Sequence, residues 1–160
     1  MTKTPVQFRL NGADKAVFVE DGQNLLDMLR RGVGDLTPKY GCGQGTCGTC
    51  TVLIDGTPHL SCLTLAETVA GREITTTAGL AKGAALHPLQ TAFMEGFAAQ
   101  CGYCTPGMLM AAKALLDVNP RPTRDEIVEA ISGNICRCTG YEPIIDAIET
   151  ASRQMQGRVA

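Results

Sequence analysis

Four of the eight cysteines lie close together in the first half of the chain. Cys42, Cys47 and Cys50 have the spacing C-x4-C-x2-C, which is typical of plant-type [2Fe–2S] loops, and Cys62 can supply a fourth thiolate. Glycines at positions 41, 43, 45 and 48 let backbone N–H groups approach the sulfurs of such a cluster. A zinc site or disulfides remain alternatives, although zinc knuckles more often pair two distant C-x2-C units. The spacing favours iron–sulfur.

The other four cysteines form a second group in the C-terminal half. Cys101 and Cys104 directly precede Thr105 and Pro106, a pair that predicts a helix start with its cap and N1 proline. Cys136 and Cys138 fall in the loop between two predicted helices. A helix N-terminus stabilises thiolates through its free N–H groups. The group favours a second iron–sulfur cluster, with zinc as the alternative.

The remaining polar residues indicate no substrate chemistry, so we expect no catalytic residue on this chain. No Ser/His/Asp set, carboxylate pair or phosphate-binding glycine loop is found in the sequence. His59 and His87 are not expected to bind metal because the thiol sets are complete without them. Arg137 is interpreted equally as a donor near the second site or as a solvated arginine, and Tyr103 and Tyr141 either shield that site or simply pack. We expect helix-core positions for three methionines: Met94, Met108 and Met110.

Length and composition narrow the class of protein. The chain has 160 residues, 44% of them apolar and 19% charged, which fits one average domain or two small ones. A formal net charge of −2 argues against a nucleic-acid-binding domain. No apolar run approaches a membrane span, and the polar N-terminus does not resemble a secretory signal. We therefore expect a cytoplasmic protein, in a compartment where disulfides are rare.

The first half has the pattern of a small α/β unit. Apolar residues alternate along 6–10 and 15–19 around an Asn11-Gly12 turn, and Asn24 can cap a short helix. Residues 32–50 have little apolar pattern and predict a functional loop. Further strands are predicted at 51–54, 59–65 and 73–77. One helix among these strands favours a β-grasp arrangement.

The second half changes to a helical period. Residues 79–83 break the pattern and predict a domain joint. Four helices are then expected: one with a single apolar face, one over 107–118, one with a capping box through residue 131, and one from 143. The face of the first comprises Leu89, Ala92, Phe93, Gly96 and Phe97, and the capping box pairs Thr123 with Glu126. We predict an α+β chain with a β-grasp ferredoxin-like domain at 1–79 and a four-helix-bundle domain at 80–160.

Three motifs in this order resemble the small iron–sulfur subunit of the molybdenum hydroxylases, the xanthine dehydrogenase and aldehyde oxidoreductase family. They are GCGQGTCGTCTV at 41–52, QCGYCTPGM at 100–108 and GNICRCTGY at 133–141, and the resemblance covers about residues 4–152. It implies one [2Fe–2S] cluster per domain, the first nearer the flavin and the second nearer the molybdenum cofactor. Gln100 and Cys138 would approach the pterin of that cofactor. Thr49 and the segment 31–38 depart from the usual family pattern.

The resemblance also implies a role and partners. The chain would pass electrons from a molybdenum–pterin site on a large subunit through its two clusters to FAD, usually on a medium subunit, or to another acceptor. A separate polypeptide in a dimer of heterotrimers is expected, with an N-heteroaromatic compound or an aldehyde as the substrate. A reductive aromatic-thioester dehydroxylase and a carbon monoxide dehydrogenase are alternatives within the family. A stand-alone ferredoxin would need only the first half, and a zinc-structured module would be colourless.

Overall fold

The computed structural model describes residues 3–157, and its first half is a mixed sheet with one short helix. The strands are β1 (Lys3–Leu10), β2 (Ala13–Glu20), β3 (Thr51–Ile54), β4 (Thr57–Leu60) and β5 (Glu73–Thr75). Helix α1 (Leu25–Asp27) continues as a wider π-helical turn (Met28–Gly32), and 3-10 turns span Ala66–Val69 and Thr77–Gly79. The Asn24 side chain accepts a hydrogen bond from the Asp27 amide, which confirms the predicted cap.

The sheet order β2-β1-β5-β3-β4 explains where the cysteine loop runs. β1 pairs with β2 in antiparallel fashion and with β5 in parallel, and β3 pairs antiparallel with both β4 and β5. Parallel neighbours need a long crossover connection. Helix α1, the cysteine-rich loop and the β3–β4 hairpin all lie between β1 and β5. The loop is thereby anchored at its C-terminal end by β3, all of whose residues are buried.

The second half consists of four helices, as predicted: α2 (Pro88–Glu95), α3 (Thr105–Val118), α4 (Arg124–Ile131) and α5 (Glu142–Gly157). The capping box of Thr123 and Glu126 is present at the start of α4. His87 caps α2, because its side chain accepts a hydrogen bond from the Leu89 amide. Among residues 3–157, no helix is long and apolar enough to cross a membrane.

Two apolar clusters form, one in each half. The first packs α1 on the sheet around Val6, Phe8 and Ile74, and the second fills the space between the four helices. Leu53 of β3 belongs to the helical cluster, because α3 packs against that strand. The predicted α+β class, with a β-grasp unit followed by a four-helix unit, is confirmed.

Some local predictions are wrong. β4 ends at Leu60 and β5 at Thr75, so both strands are shorter than predicted. Cys104 rather than Thr105 occupies the cap position of α3, and Thr105 is its first helical residue. Met94 and Phe97 are not in the core, because their exposed fractions are 63% and 81%.

Phe97 is exposed because α2 ends at Glu95, two residues before the last residue of the predicted apolar face. The Ala98 amide donates to the Phe93 carbonyl, and the Phe97 amide to the Met94 carbonyl, which together form a Schellman motif. Phe97 then takes the left-handed position of that motif, with φ of +52°. Glycine is the usual residue there, since a side chain in this conformation costs about 1 kcal/mol or more.

Replacing Phe97 by glycine should therefore stabilise the chain. We expect Phe97→Gly to raise the free energy of unfolding by about 0.5–1 kcal/mol. This figure is the backbone strain that glycine removes, minus the cost of the extra conformational freedom that glycine gives the unfolded chain. Denaturant titration measures this. Phe97→Ala keeps the strain and should change stability by less than about 0.5 kcal/mol. An equal gain in both variants would show that removal of the exposed ring, and not the backbone, is responsible.

Candidate metal centres

The first cysteine group is assembled by the β3–β4 hairpin. Cys42, Cys47 and Cys50 precede β3, and Cys62 follows β4. Ser61 donates to the Cys50 carbonyl from its amide (3.3 Å) and from its hydroxyl (2.7 Å), which closes the hairpin beside the loop. The thiol of Cys62 then contacts that of Cys50, and the thiol of Cys42 contacts that of Cys47. The group therefore consists of two adjacent thiol pairs.

The second group is assembled by two helix ends. Cys101 and Cys104 lie on the turn into α3, and Cys136 and Cys138 lie between α4 and α5. Their thiols pair across this junction as Cys104 with Cys136 and Cys101 with Cys138. The first pair is buried and the second is exposed. One side of the second site thus faces the protein interior and the other faces outward.

The pairwise arrangement bears on the kind of metal centre. In the part of the chain that the structure describes, no group of three or more His, Cys, Asp or Glu side chains could hold a single metal ion. A [2Fe–2S] cluster contains two irons and is held by four cysteine thiolates. The four thiols gathered at each site match the number of ligands that such a cluster needs.

At the first site, the pKa values of Cys42 and Cys62 are shifted in opposite directions. Hydrogen bonding with the Gln44 backbone, together with contacts to Thr46 and Cys47, lowers the pKa of Cys42 to about 5. The Thr46 amide donates to the Cys42 sulfur at 3.3 Å, the kind of contact expected of the glycine-rich loop. Burial and, to a smaller extent, the neighbouring Cys50 together raise the pKa of Cys62 to about 11. A bound cation would offset both causes of the raised pKa of Cys62, burial and the nearby Cys50, because metal ligation deprotonates thiols outright.

At the second site, the pKa values of Cys104 and Cys136 are likewise shifted in opposite directions. Burial raises the pKa of Cys104 to about 12, and the nearby Cys136 adds to the shift. Burial also opposes ionisation of Cys136, but hydrogen bonds from Thr139 and from the backbone at Cys138 give a net lowering of its pKa. The Thr139 hydroxyl donates to the Cys136 sulfur at 3.0 Å, and the Cys136 amide donates to the Tyr141 hydroxyl at 3.1 Å.

Comparison with known proteins gives matches along nearly the whole chain. Residues 8–78 match the 2Fe-2S iron-sulfur cluster binding domain, and residues 76–149 match the [2Fe-2S] binding domain. The nicotine 6-hydroxylase small subunit of Paenarthrobacter nicotinovorans is 46% identical over 153 residues, 96% of this chain and 92% of that subunit. The nicotinate dehydrogenase small FeS subunit of Eubacterium barkeri is 46% identical over 151 residues, 94% of this chain and 96% of that subunit.

A solved structure agrees with these sequence matches. A chain of quinoline 2-oxidoreductase from Pseudomonas putida 86 superimposes with a TM-score of 0.94 at 47% identity, and the match covers 99% of this chain and 98% of that one. The chain belongs to the small iron–sulfur subunits of the molybdenum hydroxylase family. Membership confirms the resemblance of the three sequence motifs, and two [2Fe–2S]-binding domains fit two clusters.

The other residues singled out in the sequence of this iron–sulfur subunit differ in their exposure and in their contacts with the second site. Gln100 and Arg137 are exposed beside the exposed cysteine pair. Tyr103 donates from its hydroxyl to the Tyr40 carbonyl at 2.5 Å. Tyr141 is half-buried and packs against the helical cluster. Its hydroxyl also accepts a hydrogen bond from the Cys136 amide, so Tyr141 has both a packing role and a contact with the second site. His59 is exposed on β4.

Three threonines near the sulfurs were not identified from the sequence. They are Thr46 and Thr139, described above, and Thr49, whose hydroxyl lies 3.3 Å from the Cys47 sulfur. Thr49, which departs from the family pattern, also donates to the Lys39 carbonyl at 3.2 Å. Thr46, Thr49 and Thr139 lie four, two and three residues, respectively, from the cysteine whose sulfur each contacts, and that proximity was the available signal.

Thr105 gives a separate indication that the second site takes a bound group. Within the described residues its hydroxyl is buried and has no hydrogen-bond partner. An unsatisfied buried hydroxyl costs about 1–3 kcal/mol. Thr105 directly follows Cys104, where a bound cluster would bring sulfur acceptors. The residues present therefore fit the cofactor that the family implies.

Thr139 should tune the potential of the second site. A hydrogen bond to a ligand sulfur stabilises the more negative, reduced state, so Thr139→Val should lower the midpoint potential of that site by roughly 20–60 mV. Potentiometric titration followed by electron paramagnetic resonance measures this shift. Thr139→Ser keeps the hydroxyl and should retain the potential of the unchanged chain. A valine variant with an unaltered potential would contradict the assignment.

Proposed function

We propose that this chain is the electron-transfer subunit of a heteromeric molybdenum-dependent oxidoreductase. It would pass electrons from a molybdenum–pterin site on a large subunit towards FAD or another acceptor. The observation that carries the proposal is the presence of two separate sets of paired thiols, one in each domain. We propose that the substrate is oxidised on the partner.

The proposed ligands are the eight cysteines, four for each site. Cys42, Cys47, Cys50 and Cys62 would hold the first cluster, and Cys101, Cys104, Cys136 and Cys138 the second. The thiol contacts support the pairing of Cys42 with Cys47 and of Cys50 with Cys62. They equally support Cys104 with Cys136 and Cys101 with Cys138. We propose that the domains meet between residues 79 and 80.

The protein's contribution is to hold the ligands and to adjust their electrostatics. A [2Fe–2S] cluster, when bound, accepts and releases single electrons at a potential that depends on burial and on hydrogen bonds to sulfur. Thr46 and Thr139 donate such hydrogen bonds at the first and second sites, respectively. Buried Cys50 and Cys104 limit the access of water to one side of each site.

The exposed side of the second site is the proposed contact with the molybdenum cofactor. Cys101 and Cys138 are both exposed and in mutual contact, and Gln100 adjoins them. We propose that Gln100 and Cys138 approach the pterin when the large subunit covers this side. The adjacent Tyr103, 48% exposed, would be covered in the same step.

The names of several relatives refer to nicotine, nicotinate and quinoline, and those of others refer to aldehydes. We propose that an N-heteroaromatic compound is oxidised on the large subunit of this enzyme. A medium FAD subunit is proposed to lie beside the first site, where Tyr40 and Leu63 are exposed on the cysteine loop and the β4 turn. We further propose a dimer of heterotrimers in the cytoplasm, a compartment in which eight unpaired cysteines remain reduced.

Single cysteine replacements test the two-site assignment. The complex should contain about four iron and four acid-labile sulfide atoms per small subunit. Cys47→Ala should remove one iron–sulfur signal in electron paramagnetic resonance and about half of the iron, because each site has its own ligands. Cys104→Ala should remove the other signal. Loss of both signals together from a folded Cys47→Ala protein would contradict separate sites.

Purification with co-expressed neighbouring genes tests the partners. We expect the chain to co-purify with a large subunit that contains molybdenum and a medium subunit that contains FAD, and the complex to oxidise an N-heteroaromatic ring. Recovery of the chain alone, as a stable two-cluster protein that exchanges electrons in solution, would instead support a stand-alone ferredoxin. Reduction of an aromatic thioester, or oxidation of carbon monoxide, by the complex would assign it to another branch of the family.

A further inference from the structure

The two cysteine sites are joined by direct contacts between their loops. The Ile135 amide donates to the Cys47 carbonyl at 2.9 Å, so a residue next to Cys136 is bonded to a proposed ligand of the first site. Beside this bond, the side-chain amide of Asn134 donates from Nδ2 to the Gly48 carbonyl at 2.9 Å. Both bonds link residues from the two halves of the chain, between the cysteine groups.

The backbones at this junction are too close for any intervening side chain. A Cβ atom on Gly107, in the first turn of α3, would lie 2.2 Å from the Gly48 carbonyl oxygen. A Cβ on Gly48, whose φ is +69°, would lie 2.5 Å from the Gly133 carbonyl oxygen. The first loop is thus enclosed between α3 and residues 133–134. Main-chain contact therefore sets the smallest distance that the two sites can have.

Asn134 is the side chain that attaches the first loop to the second. It is buried, with 6% of its surface exposed. The Gly48 carbonyl already accepts the Thr51 amide at 3.1 Å and the Thr51 hydroxyl at 2.7 Å, so the turn before β3 is satisfied without Asn134. The amide of Asn134 is therefore not needed to form the turn. Its bond serves to hold the two loops together.

We propose that Asn134 is a positioning residue that fixes the distance between the two cluster sites. This inference rests on the proposed function, because it assumes a cluster at each site. Asn134 touches neither substrate nor cluster ligand in this role. It acts through the Gly48 carbonyl, which adjoins Cys47, and through its own backbone, which leads to Cys136. If this junction were loosened, the distance between the two clusters would become larger and more variable.

The test uses the purified complex with Asn134→Ala and Asn134→Asp. The alanine variant removes the donor, and the aspartate variant replaces it with an acceptor that faces the Gly48 carbonyl. Both should keep the iron content and the separate signals of the two sites. The magnetic coupling between the two reduced clusters, which depends steeply on their distance, should become weaker and broader. Amide hydrogen exchange over residues 133–136 should become about tenfold faster, because the buried bond no longer protects the junction.

Thr77→Val is the matched control. It also removes one side-chain hydrogen bond between the halves, that to the Pro106 carbonyl at 3.2 Å, but at the joint after β5 and not between the two cysteine loops. Its magnetic coupling and its exchange at 133–136 should equal those of the unchanged complex.

Four outcomes would overturn an assumption or the proposal. Unchanged coupling and exchange in both Asn134 variants would overturn the positioning role, and so would an equal loss of coupling in Thr77→Val. Loss of the second cluster from both Asn134 variants would show that Asn134 is needed for cluster assembly, and this outcome would also overturn the positioning role. Absence of two iron–sulfur signals from the unchanged complex would instead overturn the proposed function.

Discussion

Thiolates repel one another, and each half of this chain gathers four thiols into one small space. The cost is visible in the raised pKa values of Cys62 and Cys104, where burial and a neighbouring sulfur both oppose ionisation. Such sets persist where positive metal centres neutralise them, because ligation exchanges sulfur–sulfur repulsion for attraction to iron. The surrounding fold supplies the rest: a hairpin brings Cys62 to the first loop, and two helix ends bring the second set together. Hydrogen bonds from Thr46 and Thr139 then favour the thiolate form at one sulfur of each site.

The cysteine spacing predicted both sets because ligation depends on local geometry. A short loop with little side-chain bulk can present three thiolates whatever the remainder of the sheet does. The helix caps were predictable for a similar reason, since the Thr123 capping box and the Asn24 cap involve residues three apart. The family resemblance rests on the same short motifs. These features are local in sequence, so the chain alone contains their signal.

The features that sequence reasoning did not find depend on distant or unfavourable contacts. The bond of Asn134 to Gly48 joins residues 86 positions apart, and nothing near either residue indicates the other. Pairing of Cys101 with Cys138 likewise joins the turn before α3 to the loop between α4 and α5, two segments that are distant in the sequence. Phe97 was placed on an apolar helix face because its residue type fits the period. The helix ends before it, however, and its backbone takes a conformation that usually selects glycine.

The two domains are built on separate apolar clusters, yet their metal sites do not lie at independent positions. Leu53 of the sheet packs into the helical cluster, and the Thr77 hydroxyl donates to the Pro106 carbonyl at 3.2 Å. The main-chain contacts of Gly48 with Gly107 and Gly133 lie between the sites themselves. A flexible joint would have left the gap between the sites variable, and electron transfer between them would vary with it. Glycines at the contact let the backbones meet directly, so the distance between the sites is determined by the junction and by neither domain alone.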